Sequence, residues 1–286
     1  MHYTQAKGIL SAKNGMNIYR GCSHGCIYCD SRSACYGFTH DFEDIEVKQN
    51  APELLERALK SKRKRCVIGT GSMCDPYMHI EKTLCLSRKC LEIIDRHGFG
   101  VSLLTKSDLV LRDIDLLKSI NAKAKAVVQM TITTADDELC RKLEPNVCPS
   151  SRRFEVLCEM RDNGIPTVLW LCPLLPFIND TEENLRGVLD YAKRAGCYGV
   201  MSFGMGLTLR EGDREYFYAA LDRLFPGLRQ RYERTFGLSY EIASPNEKRL
   251  WEIFRSECEK NGIEWRTENL FGYLSQIDEE EQLTLF

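Results

Sequence analysis

The chain has 286 residues, of which 43% are hydrophobic and 28% charged, and its formal net charge is −2. That length suits one large α/β barrel or a barrel with a small extension, and the hydrophobic content supports a real core. The near-neutral charge excludes a polycation, so any contact with nucleic acid depends on local basic patches. Because no run approaches about 18 apolar residues and the first residues lack a signal-peptide core, we expect a cytoplasmic protein without membrane contact.

Six short runs of apolar and β-branched residues have the composition of strands buried in a parallel sheet. They alternate with amphipathic helical stretches, such as the stripe of Leu185, Val188, Leu189 and Ala192. Six such repeats predict an α/β fold, a partial parallel (β/α)6 TIM-like barrel, with its function at the carboxyl ends of the strands. The predicted strands are Met16–Arg20, Arg65–Gly69, Val101–Thr105, Ala126–Thr133, Thr167–Cys172 and Gly199–Phe203.

Three cysteines, Cys22, Cys26 and Cys29, follow the first predicted strand with the spacing C-x3-C-x2-C. A [4Fe–4S] cluster normally has four cysteine ligands, so a cluster held by three leaves one iron open to bind a small molecule and react with it. The alternative is a structural zinc site, which needs four ligands and favours two separate C-x2-C pairs. Only Cys26 and Cys29 have that spacing, and His24 stands inside the same loop. The spacing therefore favours the iron–sulfur cluster.

Several segments in order, from about Met16 to Gly199, resemble the spore photoproduct lyase-like branch of the radical S-adenosylmethionine (SAM) superfamily, a branch of DNA repair photolyase-like proteins. In that superfamily an electron from the cluster splits SAM to a 5′-deoxyadenosyl radical. The resemblance rests on Asn17–Cys29, Asp75-Pro76-Tyr77, Thr105-Lys106-Ser107, Thr131–Thr134, Leu143-Glu144-Pro145, Pro173 and Pro176.

The resemblance implies a role for each matched residue. Cys22, Cys26 and Cys29 would bind the cluster, and Tyr28 would pack near the adenine of SAM. Lys106, at the end of the third predicted barrel strand, matches a lysine near the SAM carboxylate. A cation there offsets the negative charges of the SAM carboxylate and of the cysteine thiolates. Thr131 matches a hydroxyl-bearing position that contacts SAM. The implied cofactors are a [4Fe–4S] cluster and SAM.

Two positions depart from the photoproduct lyases themselves. Those enzymes have a tyrosine directly after the third cluster cysteine, where this chain has Asp30. They also use a cysteine near the second-strand motif as a hydrogen-atom donor, and Cys74 is close to that place but out of register with it. An S–H bond is weak enough for such a role. Cys74 is therefore a candidate catalytic residue.

The sequence divides into three parts. Residues 1–205 are the predicted radical SAM core barrel, and residues 206–275 a helical carboxy-terminal extension. Residues 276–286 are a predicted flexible tail that ends in Gln282, Leu283, Leu285 and Phe286. That ending resembles the short peptide by which bacterial DNA polymerases and repair proteins dock on the sliding clamp. Two leucines and a phenylalanine after an acidic stretch suit an apolar groove on such a partner.

Local basic clusters could contact nucleic acid, because phosphate binding needs only such patches. They are Lys60–Arg65, Arg152–Arg153 and Arg229–Arg234. The first lies before the amino end of a predicted strand, away from the chemistry, so the second and third are the better candidates for contact with substrate.

Three functions are open. The first is a radical SAM enzyme acting on DNA, either repairing a lesion such as a pyrimidine photoproduct or modifying a base. The second is a radical SAM enzyme modifying RNA or a peptide, and the third is a non-catalytic iron–sulfur accessory protein that binds nucleic acid. The SAM-pocket residues disfavour the third function, and the terminal peptide favours the first. Reduction of the cluster would require an electron donor such as flavodoxin or ferredoxin.

Overall fold

The computed structural model of the chain describes residues 1–277. The four residues predicted to bind the sliding clamp, and residues 278–286 as a whole, lie outside this range. Among residues 1–277, no helix has both the length and the apolar character needed to cross a membrane.

Strands form a parallel six-stranded sheet and two small sheets. The six-stranded sheet has the order β2-β5-β6-β7-β8-β9, and its outer strands do not pair with each other, so the barrel is open. This confirms the predicted partial barrel. The strands are β1 (His2–Thr4), β2 (Gly15–Met16), β3 (Tyr19–Arg20), β4 (Glu46–Lys48), β5 (Val67–Thr70), β6 (Gly100–Thr105), β7 (Ala126–Thr131), β8 (Thr167–Trp170), β9 (Gly199–Met201), β10 (Gly206–Thr208) and β11 (Glu241–Ala243).

The first predicted strand is divided in two in the structure. Only β2 joins the barrel, where Met16 pairs with Thr70 of β5. The chain then leaves the barrel, and β3 pairs antiparallel with β4, which pairs in parallel with β1. The apolar residues on both sides of this division are buried: Met16 is 3% exposed, and Ile18 and Tyr19 are each 1% exposed. Burial therefore continues across the break, and the apolar pattern alone does not reveal it.

Helices α1, α3, α4, α6 and α7 pack on the outer face of the barrel, and their buried apolar residues form one core with those of the strands. The predicted stripe of α7 is buried, and Thr181 caps that helix by accepting a hydrogen bond from the backbone N–H of Asn184 at 3.1 Å. The helices are α1 (Ala51–Ser61), α2 (Glu81–Leu84), α3 (Leu86–His97), α4 (Ile114–Lys123), α5 (Asp137–Leu143), α6 (Ser150–Asp162), α7 (Glu182–Ala195), α8 (Asp213–Leu224), α9 (Leu228–Phe236), α10 (Glu247–Lys260) and α11 (Thr267–Ser275).

The last described helix, α11, packs on the opposite face of the sheet. Its Leu270 and Leu274 form a small core with Val127, Val168 and Met201, which lie on β7, β8 and β9. Side chains alternate between the two faces of a strand, and the neighbouring residues on these strands belong to the core beneath the outer helices. Helix α11 therefore fills part of the barrel interior. Strands β10 and β11 pair antiparallel beside the barrel mouth.

Candidate active site

A cavity of about 680 Å³ opens at the carboxyl ends of the barrel strands. Its wall is formed by the cysteine loop after β3, by the segments that follow β5, β6, β8 and β9, and by the β10–β11 sheet. Every residue predicted from the sequence to act in the site lines this one cavity. These residues are Cys22, Cys26, Tyr28, Cys29, Cys74, Lys106 and Thr131.

The cysteine loop is held by backbone contacts on both sides. The Cys22 N–H donates to the carbonyl of Phe42 at 3.1 Å, and the Ile27 N–H donates to the carbonyl of Leu143 at 3.0 Å. Gly21 has a φ of +82°, and a side chain there would place its Cβ 2.4 Å from the Phe42 oxygen. Only glycine allows the loop to approach Phe42 this closely.

The three cysteine thiols line the cavity together and can hold a metal cluster once they are deprotonated. Burial raises the pKa of Cys26 to about 12 although the Lys106 cation lowers it, so metal binding must displace a proton.

Asp75 joins the segments that follow β5 and β6. Its carboxylate accepts hydrogen bonds from the Thr105 hydroxyl at 2.7 Å, from the Lys106 N–H at 2.7 Å and from the Tyr77 N–H at 2.8 Å. His24 of the cysteine loop lies 3.5 Å from the same carboxylate. Burial lowers the pKa of His24 to about 4 despite the nearby Asp75, so the imidazole is neutral at physiological pH. Asp75 thus connects Lys106 to the cysteine loop.

A buried charged network lies beneath Tyr28. The Tyr28 hydroxyl donates to the carboxylate of Glu144, which also pairs with the guanidinium of Arg153. Both charged side chains are completely buried. Arg153 also donates to the carbonyl of Thr131 at 3.0 Å and to that of Cys148 at 2.9 Å. This network fixes the Tyr28 ring and the end of β7 relative to each other.

Lys106 supplies positive charge to the cavity. Its ammonium lies 5.9 Å from the centre of the Tyr28 ring. Burial lowers the pKa of Lys106, but the sulfur of Cys26 and the carboxylate of Glu144 raise it more, so the net shift is upward and the group stays cationic. A cation beside an aromatic face and three thiols can bind the carboxylate of a ligand.

Cys74 and Thr131 lie deeper in the cavity wall. Cys74 is 6% exposed, and its thiol donates to the carbonyl of Tyr19 at 3.0 Å. Burial raises the pKa of Cys74 to about 12, so it is a neutral thiol that carries a hydrogen atom. Thr131 is the last residue of β7 and is 4% exposed. Both residues are close enough to the cavity to contact a ligand in it.

Sequence reasoning missed three features of this site. In the sequence Glu144 stands out only as part of a motif, and nothing singles out Gly71. Gly71 has a φ of +100°, and a Cβ there would lie 1.9 Å from the carbonyl oxygen of Leu104, so the segment after β5 needs glycine to pass β6. Trp170 and Phe203 form the third feature, an aromatic pair at the cavity mouth with ring centres 5.4 Å apart.

The prediction that Arg152–Arg153 contacts substrate is wrong for Arg153, because that side chain is buried against Glu144. Adjacent residues of a helix point in different directions, and only Arg152 of this pair reaches solvent. Arg152 is 34% exposed and already pairs with three carboxylates, those of Asp108, Glu155 and Glu159.

Parts of the chain are similar in sequence to known proteins. The sequence model described as "Radical SAM superfamily" matches residues 16–189. An uncharacterized protein of Mycobacterium tuberculosis is 29% identical over 232 residues, covering 77% of this chain and 66% of that protein. An uncharacterized protein of Methanocaldococcus jannaschii is 35% identical over 176 residues, covering 61% of this chain and 65% of that protein. The chain thus aligns with slightly less than two thirds of the length of these relatives.

Among solved structures, spore photoproduct lyase complexed with dinucleoside spore photoproduct has a similar fold. The TM-score is 0.64 at 14% sequence identity, and the match covers 89% of this chain and 76% of that one.

The adjacent residues Arg152 and Arg153 provide a matched pair for testing the buried network. We expect Arg153→Met to lower the free energy of unfolding by about 3–5 kcal/mol, because Glu144 would remain buried without its partner. Arg152→Met should cost less than about 1 kcal/mol, since its ion pairs are exposed to solvent. Urea denaturation of the wild type and of both variants, each with the same iron content, measures these free energies of unfolding. Equal effects of the two substitutions would contradict the importance of the Glu144–Arg153 pair.

Proposed function

Because the chain belongs to the radical SAM superfamily, we propose that it is a radical SAM enzyme whose substrate is DNA. The superfamily uses a [4Fe–4S] cluster and SAM, and these are the chain's cofactors. The observation that carries the proposal is the single cavity that brings three thiols, a cation and a pair of aromatic rings together. Family membership also removes the alternative of a non-catalytic accessory protein.

The donor set in the cavity fits the cofactors. Cys22, Cys26 and Cys29 would hold the cluster, and the three-cysteine set keeps one iron for SAM. When bound and reduced, this pair of cofactors supplies a 5′-deoxyadenosyl radical that can take a hydrogen atom from a substrate. Lys106 would bind the SAM carboxylate, Tyr28 would pack near the adenine, and the Thr131 position would contact SAM.

DNA is favoured by the aromatic cavity mouth. Phe203 is 57% exposed, and its ring stands at the edge of the Trp170 ring and is stacked with that of Phe271, which is 47% exposed. Trp170 is held in place by its indole N–H, which donates to Gln129 at 2.7 Å. Exposed, fixed aromatic rings are suited to stack on unpaired bases, and an enzyme that acts on a base must expose it from the stack.

The likeness in fold to spore photoproduct lyase supports the same substrate class, although the fold does not identify the reaction. Repair of a lesion such as a pyrimidine photoproduct and modification of a base are both reactions that begin at an unstacked base. In lesion repair Cys74 would be the hydrogen-atom donor to the product radical. Its S–H is bonded to the Tyr19 carbonyl, so the thiol would have to leave this carbonyl to reach a substrate radical.

The remaining assignments are parts of the same proposal. We keep the division into a core barrel at 1–205, an extension at 206–275 and a tail at 276–286. The tail would bind a bacterial sliding clamp through Gln282, Leu283, Leu285 and Phe286, which would keep the enzyme close to DNA. A flavodoxin or ferredoxin would supply the electron. A cytoplasmic location suits a chain with fourteen cysteines, because that compartment keeps thiols reduced.

The role of Lys106 can be separated from cluster assembly. We expect Lys106→Ala to keep the iron content of the wild type but to weaken SAM binding at least about tenfold, or about 1.4 kcal/mol, because a buried carboxylate would lose its cation. Equilibrium dialysis with SAM and quantification of 5′-deoxyadenosine after anaerobic reduction measure both effects. Lys89→Ala, on the exposed face of α3, is the control. Unchanged SAM affinity in Lys106→Ala would show that this assignment is wrong.

The aromatic mouth predicts a specific loss of DNA binding. Phe203→Ala should weaken binding of a single-stranded, thymine-rich oligonucleotide by about 1–3 kcal/mol, the usual contribution of one stacked base. Tyr3→Ala removes a similarly exposed ring on β1, outside the cavity, and should have no effect. Fluorescence anisotropy with intact and UV-irradiated oligonucleotides measures both variants. If the wild type binds no DNA, the proposal of a DNA substrate is wrong, and RNA or a peptide is the remaining substrate class.

The terminal peptide should bind the clamp independently of the barrel. A synthetic peptide of residues 276–286 should bind purified bacterial sliding clamp with a Kd in the micromolar range, about −8 kcal/mol, as is usual for short peptides that order on binding. Replacing Leu285 and Phe286 by alanine in the same peptide should abolish the calorimetric signal. If the unaltered peptide gives no heat at high micromolar concentration, the tail is not a clamp ligand.

A further inference from the structure

We propose that His2, His40 and Asp44 form a second metal site, for a divalent transition-metal ion such as zinc. None of the three lines the cavity described above. Each offers one donor atom, and the three donor atoms lie within 4.8 Å of one another. The site joins β1, which carries His2, to the segment that precedes β4, which carries the other two residues.

His40 has the hydrogen-bonding pattern of a metal ligand. Its Nδ1 is 2.9 Å from the carbonyl oxygen of Asp41. Because a carbonyl can only accept, Nδ1 carries a hydrogen, and Nε2 is the nitrogen left to bind a metal ion. Nε2 is shielded from solvent and has no hydrogen-bond partner within the described residues. A buried polar atom without a partner requires an explanation, and metal-ligating histidines are typically oriented in this way through their other nitrogen.

The other donors complete a set that suits zinc. His2 Nδ1 is 2.9 Å from Asp44 Oδ2, a hydrogen bond that an ion bound between the two side chains would replace, and the rings of His2 and His40 are nearly perpendicular with centres 4.8 Å apart. The other oxygen of Asp44 is 2.8 Å from the amino group of Met1. A carboxylate oxygen of Glu46 is 3.9 Å from His40 Nε2 and is within reach as a fourth donor. Two imidazoles with carboxylates favour zinc over calcium or magnesium.

Binding requires only small side-chain movements. With metal–ligand bonds of about 2.1 Å, tetrahedral donors lie about 3.4 Å apart, so the most distant pair must approach by up to about 1.4 Å. His2 and Asp44 have side chains 39% and 40% exposed, so they can exchange their contact with each other for a metal ion beside His40, itself 19% exposed.

The position of the site gives the ion a structural role. Phe42 lies between His40 and Asp44 in sequence, and its carbonyl accepts the N–H of Cys22 at 3.1 Å. An ion that fixes His40 and Asp44 would therefore stiffen the backbone segment that positions the first cysteine of the loop. This inference does not depend on which substrate the enzyme uses.

The test measures zinc in the protein with its iron–sulfur cluster reconstituted, because zinc could otherwise occupy the cluster cysteines. After equilibrium dialysis against Zn²⁺ at low micromolar concentration, elemental analysis gives zinc and iron in the same sample. We expect one zinc per iron-replete wild-type chain, and an affinity at least about tenfold lower in His40→Ala. His97→Ala, which removes a half-buried histidine on α3 that pairs with Glu56, should bind zinc like the wild type.

Asp44→Asn is the second variant and keeps the size of the side chain. It should also weaken zinc binding, and zinc should raise the melting temperature of the wild type but not of either variant. The proposal is overturned if the iron-replete wild type binds no zinc. It is also overturned if folded, iron-replete His40→Ala and Asp44→Asn both bind zinc as tightly as the wild type.

Discussion

The site depends on the buried carboxylate of Asp75. A carboxylate out of water needs several hydrogen-bond donors, and Asp75 finds them at the ends of two neighbouring strands, in Tyr77, Thr105 and Lys106. These hydrogen bonds fix the segment after β5 against the segment after β6. They also set the direction in which Lys106 leaves its strand, towards the cysteine loop and the ring of Tyr28. The position of the cation is thus a consequence of satisfying a buried anion.

A second buried anion, Glu144, attaches the cysteine loop to the far side of the cavity. Burying both Glu144 and Arg153 is costly for stability, and apolar residues of similar volume often serve a fold equally well. Here the pair has further partners, since it binds the hydroxyl of Tyr28 and the carbonyl of Thr131. We infer that the Glu144–Arg153 pair serves to hold these two groups in fixed positions. It orients an aromatic ring and a strand end that sequence resemblance assigns to SAM.

Local patterns in the sequence were sufficient to predict the barrel and the residues at its mouth. Cysteine spacing is local, and β5 to β9 are short apolar runs that a period-based argument detects. The rest depends on partners far apart in the chain. Tyr28 and Glu144 are 116 residues apart, and nothing near Arg153 in the sequence distinguishes it from the half-buried Arg152. Phe203 at the cavity mouth stacks with Phe271 of α11, whose packing inside the barrel follows from tertiary structure alone.

The central claim is that three cysteines of this chain hold a cluster whose remaining iron binds SAM. Electron paramagnetic resonance of the anaerobically reconstituted, reduced protein tests it most directly. The account predicts about four iron atoms per chain and one [4Fe–4S]⁺ signal whose g values shift when SAM is added. Replacing Cys26 by alanine should remove the signal. A spectrum that SAM does not change, or stoichiometric zinc in place of iron at these cysteines, would contradict the claim.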